Sequence, residues 1–216
     1  NEACMLSVVD ISLKYDNADL LEEGYGISLR KLSVYADAAM DDDARFLPVG
    51  CKPESAGDEA RRIARMRKAA FLMQLKAEGK IIERRPEYGM ESRDILKNID
   101  YAKGEFCGAR LNSVSFPGVD PADPLRFSAA EREVIDGLKR SFRTSEKLSR
   151  HMAFFIRNGS AYKICNDNLI FHGCVPLNED GSYMNFCGHE GRDLPDHCES
   201  LVRRAYRAFY AGGHDE

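Results

Sequence analysis

The chain has 216 residues, 44% hydrophobic and 31% charged, with a formal net charge of -4. That composition supports one core, or one core with an appended subdomain, and argues against disorder throughout. There is no global basic field to draw the chain onto nucleic acid or anionic lipid. The longest apolar runs, such as Ala69-Ala70-Phe71-Leu72-Met73, fall far short of the roughly 20 residues that span a bilayer. Neither nucleic acid nor a membrane is therefore an expected partner.

Asn1 opens the chain with no basic segment leading into an apolar stretch and cleavage site, so no secretory signal is expected there. The abrupt opening suits a piece of a longer polypeptide. Seven cysteines are scattered without C-x-x-C spacing. Their odd number argues against a complete disulfide framework and for a reducing cytoplasm. Buried, unpaired thiols are the expectation; a zinc knot, the alternative, would place its ligands in close pairs.

In chain order, Met5 to Tyr15 carries Val8, Val9, Ile11 and Leu13, dense enough to predict a largely buried helix. A second helix is expected from Ile27 to about Met40, with Leu29, Leu32, Val34, Tyr35 and Ala38 as its apolar face. Asp41 to Gly57 reads as a surface loop. Ile63, Met66, Ala70, Met73 and Ala77 then recur by three and four, predicting a helix that Gly79 would cap. The other side of this helix holds Arg61, Arg62, Arg65, Arg67 and Lys68. A solvated face is the commoner explanation for such a run, and a phosphate grip the alternative.

From Glu83 to Pro124 a short helix is expected at 92–98 and short strands at 104–107 and 109–115. Ser128-Ala129-Ala130-Glu131 is a capping box that starts a helix with Val134, Ile135, Leu138 and Phe142 inward. A further helix from Thr144 packs Leu148, Met152 and Phe155 and ends at Asn158-Gly159, a left-handed terminator. Residues 161–165 and 169–171 flank Asn166-Asp167-Asn168 as a hairpin. A last helix, about Leu194 to Tyr210, turns Cys198, Leu201, Val202, Ala205 and Phe209 inward.

Chemistry concentrates after the hairpin. The second strand runs into His172-Gly173 and then a polar loop with Asn178, Glu179 and Asp180. A histidine at a strand end is held rigidly yet faces the cleft where strand-end loops gather. Taken by itself, it is more often a packed core residue. His189, His197 and His214 read as solvated surface positions.

The stretch His172-Gly173-Cys174-Val175-Pro176-Leu177-Asn178-Glu179-Asp180-Gly181-Ser182 closely resembles the class 3 bacterial fructose-1,6-bisphosphatases, which are calcineurin-like metallophosphoesterases. Other segments resemble the same family in the same order: Ile11-Ser12-Leu13-Lys14-Tyr15, Leu21-Glu22-Glu23-Gly24-Tyr25-Gly26-Ile27, Gln74 to Arg84, Phe116 to Pro121 and Ser145 to Met152.

The resemblance implies an enzyme that removes the 1-phosphate of fructose 1,6-bisphosphate in gluconeogenesis at a two-metal site, with manganese (Mn2+). His172 matches the family's strand-end metal ligand, and Asn178, Glu179 and Asp180 stand where substrate contacts, or a plain polar turn, would lie. The family's D-x-H, G-D-x-x-D-R-G, G-N-H and G-H-x-H signatures are missing. Gly57-Asp58-Glu59-Ala60-Arg61-Arg62 and Gly188-His189-Glu190 match them only superficially. The 216 residues alone should then be inactive.

The expected fold is mostly α with a small antiparallel β element (α+β), part of a metallophosphatase α/β sandwich with a helical insertion. Residues 1–40 would be a helical part of that core and 41–158 an insertion or cap. Residues 159–216 would return to the core with the strand pair, the His172 loop and the terminal helix. Apolar faces left without their core strands would be free to pair between copies, so a homo-oligomer is among the expectations. The rival readings are a non-catalytic helical interaction module and a metallophosphatase acting on phosphoprotein.

Overall fold

The computed structural model describes residues 1–210; His214 lies outside them. It divides between Leu148 and Ser149 into two units. The boundaries expected at 40/41 and 158/159 do not coincide with this division, because the first two helices share a core with the third.

In the first unit α1 (Glu2–Lys14) and α2 (Arg30–Ala39) pack against α3 (Asp58–Arg84), and α4 (Ala129–Thr144) packs against α1 and α2. The Asn1 side chain caps α1 by accepting from the Ala3 amide at 2.9 Å. The helix buries Ala3, Leu6, Val9 and Leu13, whose spacing of three and four marks a single stripe. Val8 and Ile11 remain 45% and 52% exposed, so α1 is one-sided rather than largely buried. In α2 the buried stripe is Leu29, Leu32, Ala36 and Met40; Val34 and Ala38 turn outward, half a helical turn from it. Each fully buried leucine here contributes about 1.5–3 kcal/mol.

The buried face of α3 runs from Ile63 to Ile82. Gly79 does not cap it: the helix continues to Arg84. A Cβ at this position would stand 2.5 Å from a Leu125 methyl and 3.0 Å from the Asp94 carboxylate. The glycine permits close approach of two neighbouring segments rather than a left-handed turn.

The basic side of α3 is solvated only at its start, where Arg61 and Arg62 are 44% and 43% exposed; further along, the charges are paired. Arg65 holds Asp37 at 2.8 Å and Asp42 at 2.7 Å, and Lys68, buried, reaches Asp41 at 2.6 Å and Asp43 at 3.3 Å. Arg67, also buried, meets Asp10 at 3.1 Å and donates to the Phe46 and Leu47 carbonyls at 2.7 and 2.9 Å. These bonds tie α3 to α1, α2 and the 41–47 segment, where Asp43 is itself buried.

A second small core of Leu75, Leu96, Ile99 and Leu125 adjoins a three-stranded antiparallel meander. Its strands are β1 (Ile99–Asp100), β2 (Glu105–Phe106) and β3 (Ala109–Arg110), shorter than expected. The helix expected at 92–98 is only a 3-10 turn at Glu91–Arg93. There the Asn98 side chain donates to the Glu91 and Asp94 carbonyls, competing with helical pairing.

Ser128 and Glu131 form the expected capping box, at 2.7 and 3.1 Å. Glu131 also receives the Lys76 ammonium at 2.8 and 2.9 Å, and Lys76 donates to the Gly118 carbonyl at 2.6 Å. Lys76 is 0% and Glu131 1% exposed, so one buried ion pair joins α3, α4 and the 116–119 turn. Burial, and then the Glu131 charge, push the nearby Tyr35 hydroxyl far above its ordinary pKa.

Helix α5 (Glu146–Asn158) crosses into the second unit, which adds β4 (Tyr162–Cys165), β5 (Asn168–Phe171) and α6 (Asp193–Tyr210). Asn166 and Asp167 connect the strands with φ of 48° and 59°. Positive φ at both central residues is the requirement of a two-residue type I′ hairpin loop. The C-terminus of α5 does not end on a left-handed glycine, since Gly159 is absent from the positive-φ residues. Instead the Arg203 guanidinium donates to the Ile156 carbonyl and, at 2.8 Å, to that of Gly159. Glu199 accepts from the Ala161 amide at 2.8 Å, and Arg192 donates to the Tyr162 hydroxyl at 2.7 Å.

Polar links therefore hold this unit together. The inward positions expected for Met152, Phe155, Leu201, Val202 and Phe209 are not found, and all five are exposed. No buried hydrophobic residue among those described lies beyond Leu138. The cysteines are free as expected but not buried: Cys51 is half-buried and the others are exposed.

Candidate functional site

His172 follows the last residue of β5, so the strand fixes where its backbone emerges. Its side chain is exposed, not packed in a core. Gly173 then takes φ of 120°, with nothing within 4 Å of where a Cβ would stand. The glycine at this point answers to backbone conformation, not to crowding.

The chain then closes a tight loop. Leu177 bridges Tyr183, and the Asn178 amide donates to the Ser182 carbonyl at 2.8 Å. The Asn178 side chain donates to the Ser182 hydroxyl at 2.9 Å and the Tyr183 carbonyl at 3.2 Å. One Asp180 oxygen accepts from the Ser182 hydroxyl at 2.6 Å and its amide at 2.9 Å. Those bonds hold the Asp180 carboxyl below its ordinary pKa, the hydroxyl contributing most. Asn178 and Asp180 thus order the turn, while Glu179 stands exposed within it.

His189 and His197, read as solvated surface positions, are half-buried. Their rings stack with centroids 3.6 Å apart and planes 21° apart, and His189 Nδ1 lies 2.6 Å from Asp193. Asp193 and His197 lie one turn apart at the start of α6, whereas His189 precedes the helix in a bridge with Phe186, so its approach to them is set by the connecting turn.

A two-cation centre needs several carboxylate and imidazole donors around it. Among the described residues no group of three His, Cys, Asp or Glu side chains is arranged to hold a metal ion. His172 supplies a single donor, so the residues present do not by themselves fit the pair of metals. A cleft of about 150 Å³ in the first unit, lined by Asp42, Asp43, Arg61 and their neighbours, is smaller than the roughly 300–1,000 Å³ of small-molecule sites. No described helix is long and apolar enough to cross a membrane.

The fold is thus mostly helical α+β, with a hairpin that carries one histidine into an open loop. The chain belongs to the Firmicute fructose-1,6-bisphosphatase family, whose model matches residues 1–215. It is similar to the class 3 fructose-1,6-bisphosphatase of Bacteroides fragilis, 44% identical over 95% of this chain and 33% of that protein. Those of Clostridium novyi, 39% identical over 99% of this chain and 33% of that protein, and Clostridioides difficile, 40% over 95% and 32%, are similar in the same way. The chain spans about a third of the length of the curated relatives it matches. No solved structure gives a significant match.

Proposed function

We propose that these 216 residues are part of a longer cytoplasmic enzyme that hydrolyses the 1-phosphate of fructose 1,6-bisphosphate in gluconeogenesis. The observation that carries this is the family match over residues 1–215. The centre would be a pair of manganese ions whose remaining ligands come from polypeptide outside this chain, His172 being the one contributed here. Asn178 and Asp180 shape the loop after it, and Glu179 is the side chain of that loop best placed to meet a sugar hydroxyl or a metal-bound water.

The test is phosphate release from fructose 1,6-bisphosphate with manganese, comparing the uninterrupted gene product, its His172→Ala variant and this chain alone. Activity is expected only in the unmutated gene product, with His172→Ala lowering it at least ~100-fold, as loss of a metal ligand or its support does. Activity on a phosphoprotein but not on the sugar would sink the substrate assignment. Silence on every ester would favour the non-catalytic interaction module.

A further inference from the structure

We infer that Glu199 and Arg203 of α6 are positioning residues for His172: they clamp the open end of the β4–β5 hairpin, the end from which His172 emerges. This rests on the proposed function in giving His172 a part in the reaction.

A hairpin has one end closed by its turn and one that can splay. Here Asn166 and Asp167 close the far end, and the pairing runs from Cys165 opposite Asn168 to Tyr162 opposite Phe171. One step further in the same register, Ala161 stands across from His172. Two strands alone are marginal in water, and β4 with β5 makes a two-stranded sheet, so fraying begins at that open end. His172 is exposed; the backbone that carries it, not packing around its ring, sets where it lies.

Three side chains on or beside α6 converge on this end. One Glu199 oxygen accepts from the amide of Ala161, the residue across from His172, at 2.8 Å. Its other oxygen accepts from the Arg203 guanidinium, at 2.9 Å from Nε and 2.8 Å from a terminal nitrogen. Arg203 in turn donates to the Gly159 carbonyl at 2.8 Å and to that of Ile156, which fixes the chain between α5 and β4. Arg192, just before α6, donates to the Tyr162 hydroxyl at 2.7 Å, and Tyr162 pairs with Phe171, the residue before His172.

Glu199 and Arg203 lie four apart, one turn along a single helix face. Carboxylate and guanidinium hold each other in place while each holds the backbone, and such charge-assisted, two-pronged pairs are the stronger and more directional hydrogen bonds. A reacting group must be held to within about half an ångström, and a displacement of ~1 Å can cost ~100-fold in rate. The clamp restrains the one end of the hairpin where that precision matters.

The test uses the uninterrupted gene product, with fructose 1,6-bisphosphate and manganese for activity and hydrogen exchange for the hairpin. Glu199→Ala should lower kcat by roughly 10–100-fold with little change in KM. It should also speed exchange of the 161–173 amides ~10-fold while α3 amides exchange as before. Glu199→Gln keeps an oxygen for the Ala161 amide and should recover most of the lost kcat. Added to His172→Ala, Glu199→Ala should cost nothing further, because the clamp acts through His172. Arg203→Lys keeps the charge but not the fork that reaches two carbonyls; it should show the same pattern at smaller size, and it decides the matter should Glu199→Ala disturb α3. Losses that multiply in the double variant mark a merely structural role and overturn the inference. Unchanged exchange at 161–173 overturns it too, as does full activity with the hairpin loosened. A gene product that releases no phosphate from the sugar refutes the proposed function, while faster exchange at 161–173 in Glu199→Ala still shows that Glu199 holds the His172 end.

Discussion

Helices α3 and α6 are both long, at 27 and 18 residues, and both carry apolar residues at helical spacing against a charged side. In α3 that stripe lies against α1 and α2 and is buried from Ile63 to Ile82. In α6 no residue is buried, and Leu201, Val202 and Phe209 face outward. Amphipathic spacing records that a face is made to be covered; it does not record what covers it. The first unit carries its own cover and two apolar cores. The second carries polar staples and no apolar core among its described residues.

The comparison predicts an asymmetric response to mutation, largest at the buried ion pair. Lys76→Ala should destabilise the first unit by about 3–5 kcal/mol, because Glu131 would be left charged and buried without its ammonium partner. Urea unfolding followed by far-UV circular dichroism measures it. Lys76→Met combined with Glu131→Gln removes both charges and keeps a side chain able to cap α4, so it should cost clearly less than the single change. A loss below ~1 kcal/mol for Lys76→Ala would mean that water reaches the pair.

Next in size is a pair of truncations that compares the two units directly. Leu32→Ala removes a fully buried side chain from the first core and should cost about 2–5 kcal/mol. Phe155→Ala removes a larger side chain that is 69% exposed, and in the 216-residue chain should fall within ~0.5 kcal/mol. Comparable losses at the two sites would show that the second unit has a core after all.

Where one segment determines its own geometry, the sequence was readable. The capping box at Ser128 and Glu131, the Asn166-Asp167 hairpin turn and the extent of α6 all follow from local chemistry, and so does the strand that ends at His172. Reading failed where partners far along the chain decide. Arg65, Arg67 and Lys68 of α3 read as part of a solvated face because Asp10, Asp37 and Asp41 to Asp43, which neutralise them, lie well upstream. Gly79 read as a cap because the approach of Leu125 and Asp94 is a tertiary fact. Val8, Ile11 and the apolar residues of α5 and α6 read as buried because hydropathy does not distinguish a face covered within these residues from one left open. At the candidate site, His172 and its loop were legible as a motif, but a metal centre is a gathering of distant donors, and one histidine does not disclose the others.

An effect smaller than that of the core truncation tests the linkage behind the misread part of the basic face. Asp43 is buried, and its carboxyl is lowered from 3.8 to about 2, first by the Arg45 side chain and then by the Arg45 amide and Lys68. A folded-state value below the unfolded one contributes stability that is fully present above the unfolded pKa and is lost as pH falls through the folded one. The gap between 3.8 and about 2 corresponds to about 2 kcal/mol near neutral pH. Asp43→Asn should therefore lower stability by ~2 kcal/mol at neutral pH. It should also flatten the decline of stability between 3.8 and about 2 relative to the unmutated chain, measured by urea unfolding across that range. Because Asp43 anchors Lys68 of α3 and Arg45 of the 41–47 segment, an unchanged pH profile would mean that the segment is held by its backbone bonds to Arg67. The carboxylates that neutralise α3 would then be matched in charge without contributing to the fold.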